Sequence, residues 1–245
     1  MPFGPNDLLA EMDSAGVQRA ILVPPSWEGF RNALCLEAAK LHPNRFAVMG
    51  RLPLNAADSR DRFEEWKYIP GVLGVRLNFR RAAIRQLRDG TADWIFQQAE
   101  LNELALMIFA NDDFPAIGAL AERHPRLRIV LDHLGVGVEH QGASAFEHFA
   151  AVLSLARHPN IAVKASALPC AAADAYPFRS VHTYVKAAFD SYGPDRLFWG
   201  SDLTRLPCSY RQAVTMFTEH MPWLHGQDLE RVMGKSLCRW LRWRE

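Results

Sequence analysis

Three side chains far apart in this 245-residue chain have the types and settings for hydrolytic chemistry: Asp202, His133 and Arg76. Asp202 closes the run Gly193-Pro194-Asp195-Arg196-Leu197-Phe198-Trp199-Gly200-Ser201-Asp202, in which a polar turn leads through a short apolar stretch and two small residues to a carboxylate. Such a stretch reads as a strand buried on both faces, and a carboxylate just past its C-terminal end can draw a proton from water attacking an ester or amide carbonyl. The same Asp202 could instead cap a following helix by accepting backbone N–H bonds. His133 follows the apolar run Ile129-Val130-Leu131-Asp132, where an imidazole can polarise a carbonyl oxygen, move a proton or bind a metal; the alternative is a buried histidine bonded to backbone. Arg76 offers a planar fork suited to a substrate carboxylate, or a salt bridge to a loop acid. Arg205 and Tyr210 are candidate substrate contacts at the rim, or plain solvent-exposed residues. Lys164 could form a Schiff base, although pairing with a wall carboxylate is the commoner use of a lysine there.

The elements that must position these groups alternate along the chain. Helix patterns cover Asn6 to Ala15, Arg31 to Leu41, Asp58 to Trp66, Ala92 to Leu101, Phe114 to Arg123, Ala145 to Arg157, Val181 to Ser191, Arg211 to His220 and Asp228 to Trp240. Strand patterns cover Ala20 to Val23, Phe46 to Gly50, Val72 to Leu77, Ala105 to Phe109, Leu127 to Leu131, Ile161 to Lys164 and Leu197 to Trp199. Repeated β-then-α units of this length predict a parallel sheet closed into a (β/α)8 TIM barrel, as one domain over residues 1–245. A closed barrel wants eight strands and the chain shows seven, so strand one is expected to be lacking and the first visible strand becomes strand two. With that offset Arg76, His133 and Asp202 fall at the ends of strands four, six and eight, which feed the same interior layers and can converge on one ligand. Three His-Pro steps, at His42, His124 and His158, each stop a helix and enter a strand, which makes these histidines structural. Asn111, Asp112 and Asp113 stand where they would cap the next helix.

Composition narrows the class. With 28 basic and 27 acidic side chains and a 49% hydrophobic fraction, nothing points to nucleic acid or an anionic membrane, and the chain can bury a large core. Cys35, Cys170, Cys208 and Cys238 are widely spaced and contain no Cys-x-x-Cys pair. No stretch resembles a signal peptide or a membrane span, and the expectation is a cytoplasmic protein with reduced thiols that acts on a small molecule, with a homo-oligomer possible.

The segments Gly71 to Leu77, Ile129 to Gly135, Asn160 to Ser166 and above all Gly193 to Asp202 with Leu203-Thr204-Arg205 resemble the amidohydrolase-related family of TIM-barrel hydrolases, in the branch with aminocarboxymuconate semialdehyde decarboxylase and the pyrone dicarboxylate lactonase. The resemblance implies the strand-six role for His133 and the strand-eight role for Asp202. It also brings departures: the chain contains no His-x-His, and the strand ending Phe109-Ala110-Asn111 lacks the histidine of metal-binding members. A catalytic zinc needs about three protein ligands, and only His133 and Asp202 remain for one. No cofactor is therefore expected, with zinc the one possible metal. The leading reading is a metal-independent hydrolase of a small carboxylated substrate such as a lactone, with Asp202 as base, His133 on the carbonyl and Arg76 on an acid group. The alternatives are a zinc-dependent hydrolase or non-oxidative decarboxylase, and an inactive or ligand-binding barrel.

Overall fold

The computed structural model describes residues 3–137 and 139–244. Seven strands follow one another in a single parallel sheet whose spatial order equals their chain order: β1 (Ala20–Leu22), β2 (Phe46–Gly50), β3 (Val72–Asn78), β4 (Ala105–Phe109), β5 (Ile129–Leu131), β6 (Ile161–Ala165) and β7 (Leu197–Trp199). Helices α1 (Pro5–Ala15), α2 (Ala33–Leu41), α3 (Ser59–Trp66), α4 (Asp93–Leu101), α5 (Phe114–Arg123), α6 (Phe149–Ser154), α7 (Leu168–Ala171), α8 (His182–Tyr192), α9 (Tyr210–Thr218), α10 (Gly226–Glu230) and α11 (Ser236–Leu241) complete the order. This is the TIM-barrel architecture with seven strands, curled but not hydrogen-bonded from β7 back to β1 among the described residues.

Side-chain alternation sorts the strands into two faces. Val48, Leu106, Ile108, Ile129, Leu131, Ile161 and Val163 point outward into the layer shared with the helices, each fully buried. Met49, Ala105, Met107, Val130, Ala162 and Phe198 point inward and fill the lower lumen. On β3 the period slips once: the register against β2 jumps from Val48↔Val72 to Met49↔Gly74, so Leu73 and then Gly74 and Arg76 belong to the inner side. Gly74 has to be glycine, because a Cβ there would stand 2.0 Å from the Ala105 carbonyl oxygen. That bulge keeps Arg76 in register with the lumen residue Met107.

The last expected helix, Asp228 to Trp240, is broken: α10 passes through a π-helical segment at Arg231–Lys235 into α11. The break turns Leu237, Trp240 and Leu241 toward the inner face, where Trp240 lies 6.0 Å from Phe198. Expected helix Ala145 to Arg157 is likewise split, into 3-10 turns at Gly142–Phe146 and Leu155–Arg157 around α6. Periodicity marks which residues face the core, and it cannot show where an i+4 ladder tightens or widens. His42, His124 and His158 are C-caps, as their prolines imply. Among the described residues, no helix is long and apolar enough to cross a membrane, and the four half-buried cysteines form no disulfide.

Candidate active site

By strand alternation Asp132 and His133 cannot both enter the lumen. Asp132 does so directly, one residue after β5, and is 1% exposed. His133 then adopts φ 54° and Leu134 φ 52°, two successive left-handed residues that are not glycine. This turn swings the imidazole back over the cavity, at the strain cost such conformations carry near functional sites. Asp202 also sits at φ 57°, and its side chain makes no cap hydrogen bond to the short turn Leu203–Arg205. The helix-cap alternative for Asp202 is therefore overturned. Its Oδ2 stands 3.8 Å from His133 Nε2, too long for a direct hydrogen bond and short enough for both groups to touch one small reactant.

Below this pair lies a buried ion cluster. Arg76 Nε donates to Asp132 Oδ2 at 2.9 Å, and Lys164 Nζ approaches Asp132 Oδ1 at 2.8 Å. Burial alone would raise the Asp132 pKa, but Lys164, Arg76 and His133 outweigh it and hold the carboxyl down to about 2. Lys164 thus pairs with a wall acid, which leaves no free amine for a Schiff base. Arg76 does form a salt bridge, yet only through Nε; Nη1 and Nη2 make no hydrogen bond among the described residues, and Arg76 lines the cavity.

His133 is 7% exposed, edge-on to Phe109 at 4.9 Å, with its Nδ1 2.8 Å from the Ser166 hydroxyl. Burial pushes the imidazole pKa down to about 4; Lys164 and Arg76 act in the same direction, against the opposing pull of Asp132 and Asp202. The folded value lies below the ordinary 6.5, so the ring is neutral at pH 7, and protonation erodes stability as pH falls from about 6.5 toward 4. A proton NMR titration of His133 should show a midpoint near 4; a midpoint at 6.5 or above would show that burial does not depress it.

Arg76, His133, Lys164, Ser166 and Asp202 line one cavity of about 2270 Å³, which opens at the C-terminal ends of the strands and continues along β1. Arg205 and Tyr210 line it as well, in different ways. Arg205 is exposed on the rim, and its carbonyl accepts from the Cys170 thiol at 3.1 Å. Tyr210 departs from the expected exposed contact: it is 3% exposed, turned inward by the capping box of Ser209 and Gln212 at the start of α9. Burial raises its phenol to about 12, against a lowering influence from Ser201. Asp113 caps α5 through the Ala116 N–H and is held by Arg88.

Sequence reasoning overlooked Ser166 and Asp132, which line the cavity. Ser166 was within reach, because it stands two residues after Lys164 on the same face of β6. Arg51, one residue past β2, is 7% exposed with Nε and Nη1 unpartnered and its guanidinium 5.5 Å from the Phe30 ring. Nothing in the sequence distinguishes it from a surface arginine.

A family model for amidohydrolases matches residues 1–234. The chain belongs to the amidohydrolase family. Over 263 aligned positions this amidohydrolase is 32% identical to the L-fucono-1,5-lactonase of Burkholderia ambifaria, across 98% of this chain and 85% of the relative. A zinc-bound amidohydrolase from Burkholderia multivorans superposes with TM-score 0.82 at 23% identity, covering 98% of this chain and 88% of that one. A candidate 2-pyrone-4,6-dicarboxylic acid hydrolase from Pseudomonas putida gives TM-score 0.82 at 21% identity, with the same coverage. These likenesses make the amidohydrolase a TIM-barrel hydrolase.

The zinc of the Burkholderia multivorans structure has no matching donor set among the residues described. No group of three His, Cys, Asp or Glu side chains among them could hold an ion. His133 and Asp202 offer two donors, while both oxygens of Asp132 are taken by Arg76 and Lys164, whose positive charges oppose a third. That donor set does not fit a catalytic zinc.

Proposed function

We propose that this amidohydrolase opens a small lactone to its hydroxy acid without a resident metal. The observation that carries the reading is the placement of Asp202 and the buried His133 3.8 Å apart in the same cavity. Asp202 takes a proton from water as the water oxygen bonds to the lactone carbonyl carbon. His133 Nε2–H donates to the carbonyl oxygen and stabilises the oxyanion that forms. When the ring C–O bond breaks, the departing alkoxide recovers the proton from Asp202, so one lactone and one water give one hydroxy acid. Arg76 directs Nη1 and Nη2 to an acid group of the substrate or of the product, and Arg205 and Tyr210 complete the wall. Asp132 and Lys164 hold Arg76 in place.

The 32% identity to an L-fucono-1,5-lactonase favours aldono-1,5-lactones as the first class to assay, with 2-pyrone-4,6-dicarboxylate as the second. A pH-stat assay should record enzyme-dependent acid release from an aldono-1,5-lactone at a rate unchanged by a chelator. Turnover that appears only with added zinc would return the site to a metal-dependent hydrolase or decarboxylase. Inertness toward both lactone classes would return it to a binding barrel.

A further inference from the structure

A neutral imidazole carries one N–H and one lone pair, and the reading above needs the N–H on Nε2. The surroundings of His133 bear on that choice from both sides of the ring. Asp202 Oδ2, an acceptor when ionised, stands 3.8 Å from Nε2, where a lone pair would face a negative charge. On the other side the Ser166 hydroxyl lies 2.8 Å from Nδ1 and can donate to a lone pair there.

Ser166 is placed with some precision. It is 2% exposed, and Lys164 and Ser166 are two apart on the inner face at the end of β6. The next residue, Ala167, turns left-handed at φ 55° and donates its N–H to the Ser201 carbonyl, tying this end of β6 to the segment that carries Asp202. Gly200 leaves the room: a Cβ there would stand 3.1 Å from the Ser166 Cβ and 3.3 Å from the Lys164 Cδ. The close approach of two loops therefore sets the hydroxyl against one ring nitrogen.

We propose that Ser166 is a positioning residue whose O–H donates to His133 Nδ1 and holds the ring in the tautomer that presents Nε2–H to the substrate carbonyl. Ser166 acts through His133 and does not attack the substrate, because it meets the nitrogen opposite the one facing Asp202 and is almost wholly enclosed. The inference rests on the lactone reading for its catalytic consequence, while the tautomer itself is a property of the protein without substrate.

The test combines spectroscopy with kinetics on the full chain. Two-bond ¹H–¹⁵N correlation spectra of histidine-labelled protein, with His133 assigned by loss of its signals in His133→Asn, should show Nδ1 unprotonated and Nε2 protonated. Ser166→Ala removes one oxygen, and a thermal melt checks that the fold is kept. In it the Nδ1–H form should appear and kcat should fall by about 10²-fold with KM little changed, short of the ~10⁴-fold loss of a wholly wrong tautomer. Ser166→Thr, which keeps a hydroxyl, should restore an unprotonated Nδ1 and most of kcat. A wild-type Nδ1 that already carries the proton, a tautomer unmoved in Ser166→Ala, or a substrate-derived mass adduct on Ser166 would each overturn the proposal. If wild type opens no lactone yet Ser166→Ala shifts the tautomer, the functional reading fails and the positioning role stands.

Discussion

Asp202→Asn should lower kcat for lactone opening by about 10²–10⁴-fold, the range expected when a general base is removed, with KM nearly unchanged. An amide of the same shape cannot accept the proton that the attacking water gives up. The substitution is chosen for the backbone as well: Asp202 sits at φ 57°, a left-handed conformation that asparagine adopts as readily as aspartate. Because the carboxylate makes no cap hydrogen bond and is 29% exposed, its loss as a charge should leave folding intact. Steady-state kinetics beside a thermal melt separate the two effects. Wild-type kcat in a folded Asp202→Asn protein would remove Asp202 from the mechanism.

Asp132→Ala should be the most damaging single change to stability near the site. Asp132 is 1% exposed and, among the described residues, is the one carboxylate paired with both Arg76 and Lys164. Deleting it strands the buried Arg76 and the partly buried Lys164, and breaking a buried ion cluster from one side costs about 3–5 kcal/mol. For a chain of this length that corresponds to a fall in Tm of roughly 6–20 °C. The effect should depend on pH with a definite sign. The folded pKa of Asp132 is depressed to about 2 from the ordinary 3.8, so its contribution is complete above about 3.8 and disappears as pH falls through 2. The Tm gap between wild type and Asp132→Ala should therefore be widest near neutral pH and narrow toward pH 2. A gap that stays constant over that range would mean that packing, rather than charge, makes Asp132 necessary. Adding Lys164→Met to Asp132→Ala should recover part of the loss, because it withdraws one of the stranded charges.

Much of the fold is legible in the residues because its causes are local. Strands Phe46–Gly50, Ala105–Phe109 and Leu197–Trp199 and helix Phe114–Arg123 have the limits their patterns imply, since a turn or cap residue stands at each end: Asp113 caps α5, and His124-Pro125 stops it. Errors collect where the backbone leaves regular geometry without a proline or glycine signal strong enough to locate the break. The split of Ala145 to Arg157 and the π-helical step before α11 are of that kind. Near the site the same limit appears at His133, whose left-handed turn has no glycine to announce it.

The residue types thus carried the alternating β/α order, the seven strands and the choice of Asp202, His133 and Arg76 as the groups to examine, because hydrophobic period, caps and turns act over a few residues. Contacts between distant segments settled the rest. Arg76 meets Asp132 across 56 positions and His133 meets Ser166 across 33. Such pairings depend on how the sheet curls and which side chain a bulge or left-handed turn re-aims, and a one-residue slip in either reverses the answer. The sheet's curvature therefore decided that Arg76 is shared with Asp132, that Lys164 is neutralised, that Tyr210 is buried, and that a serine stands behind the imidazole.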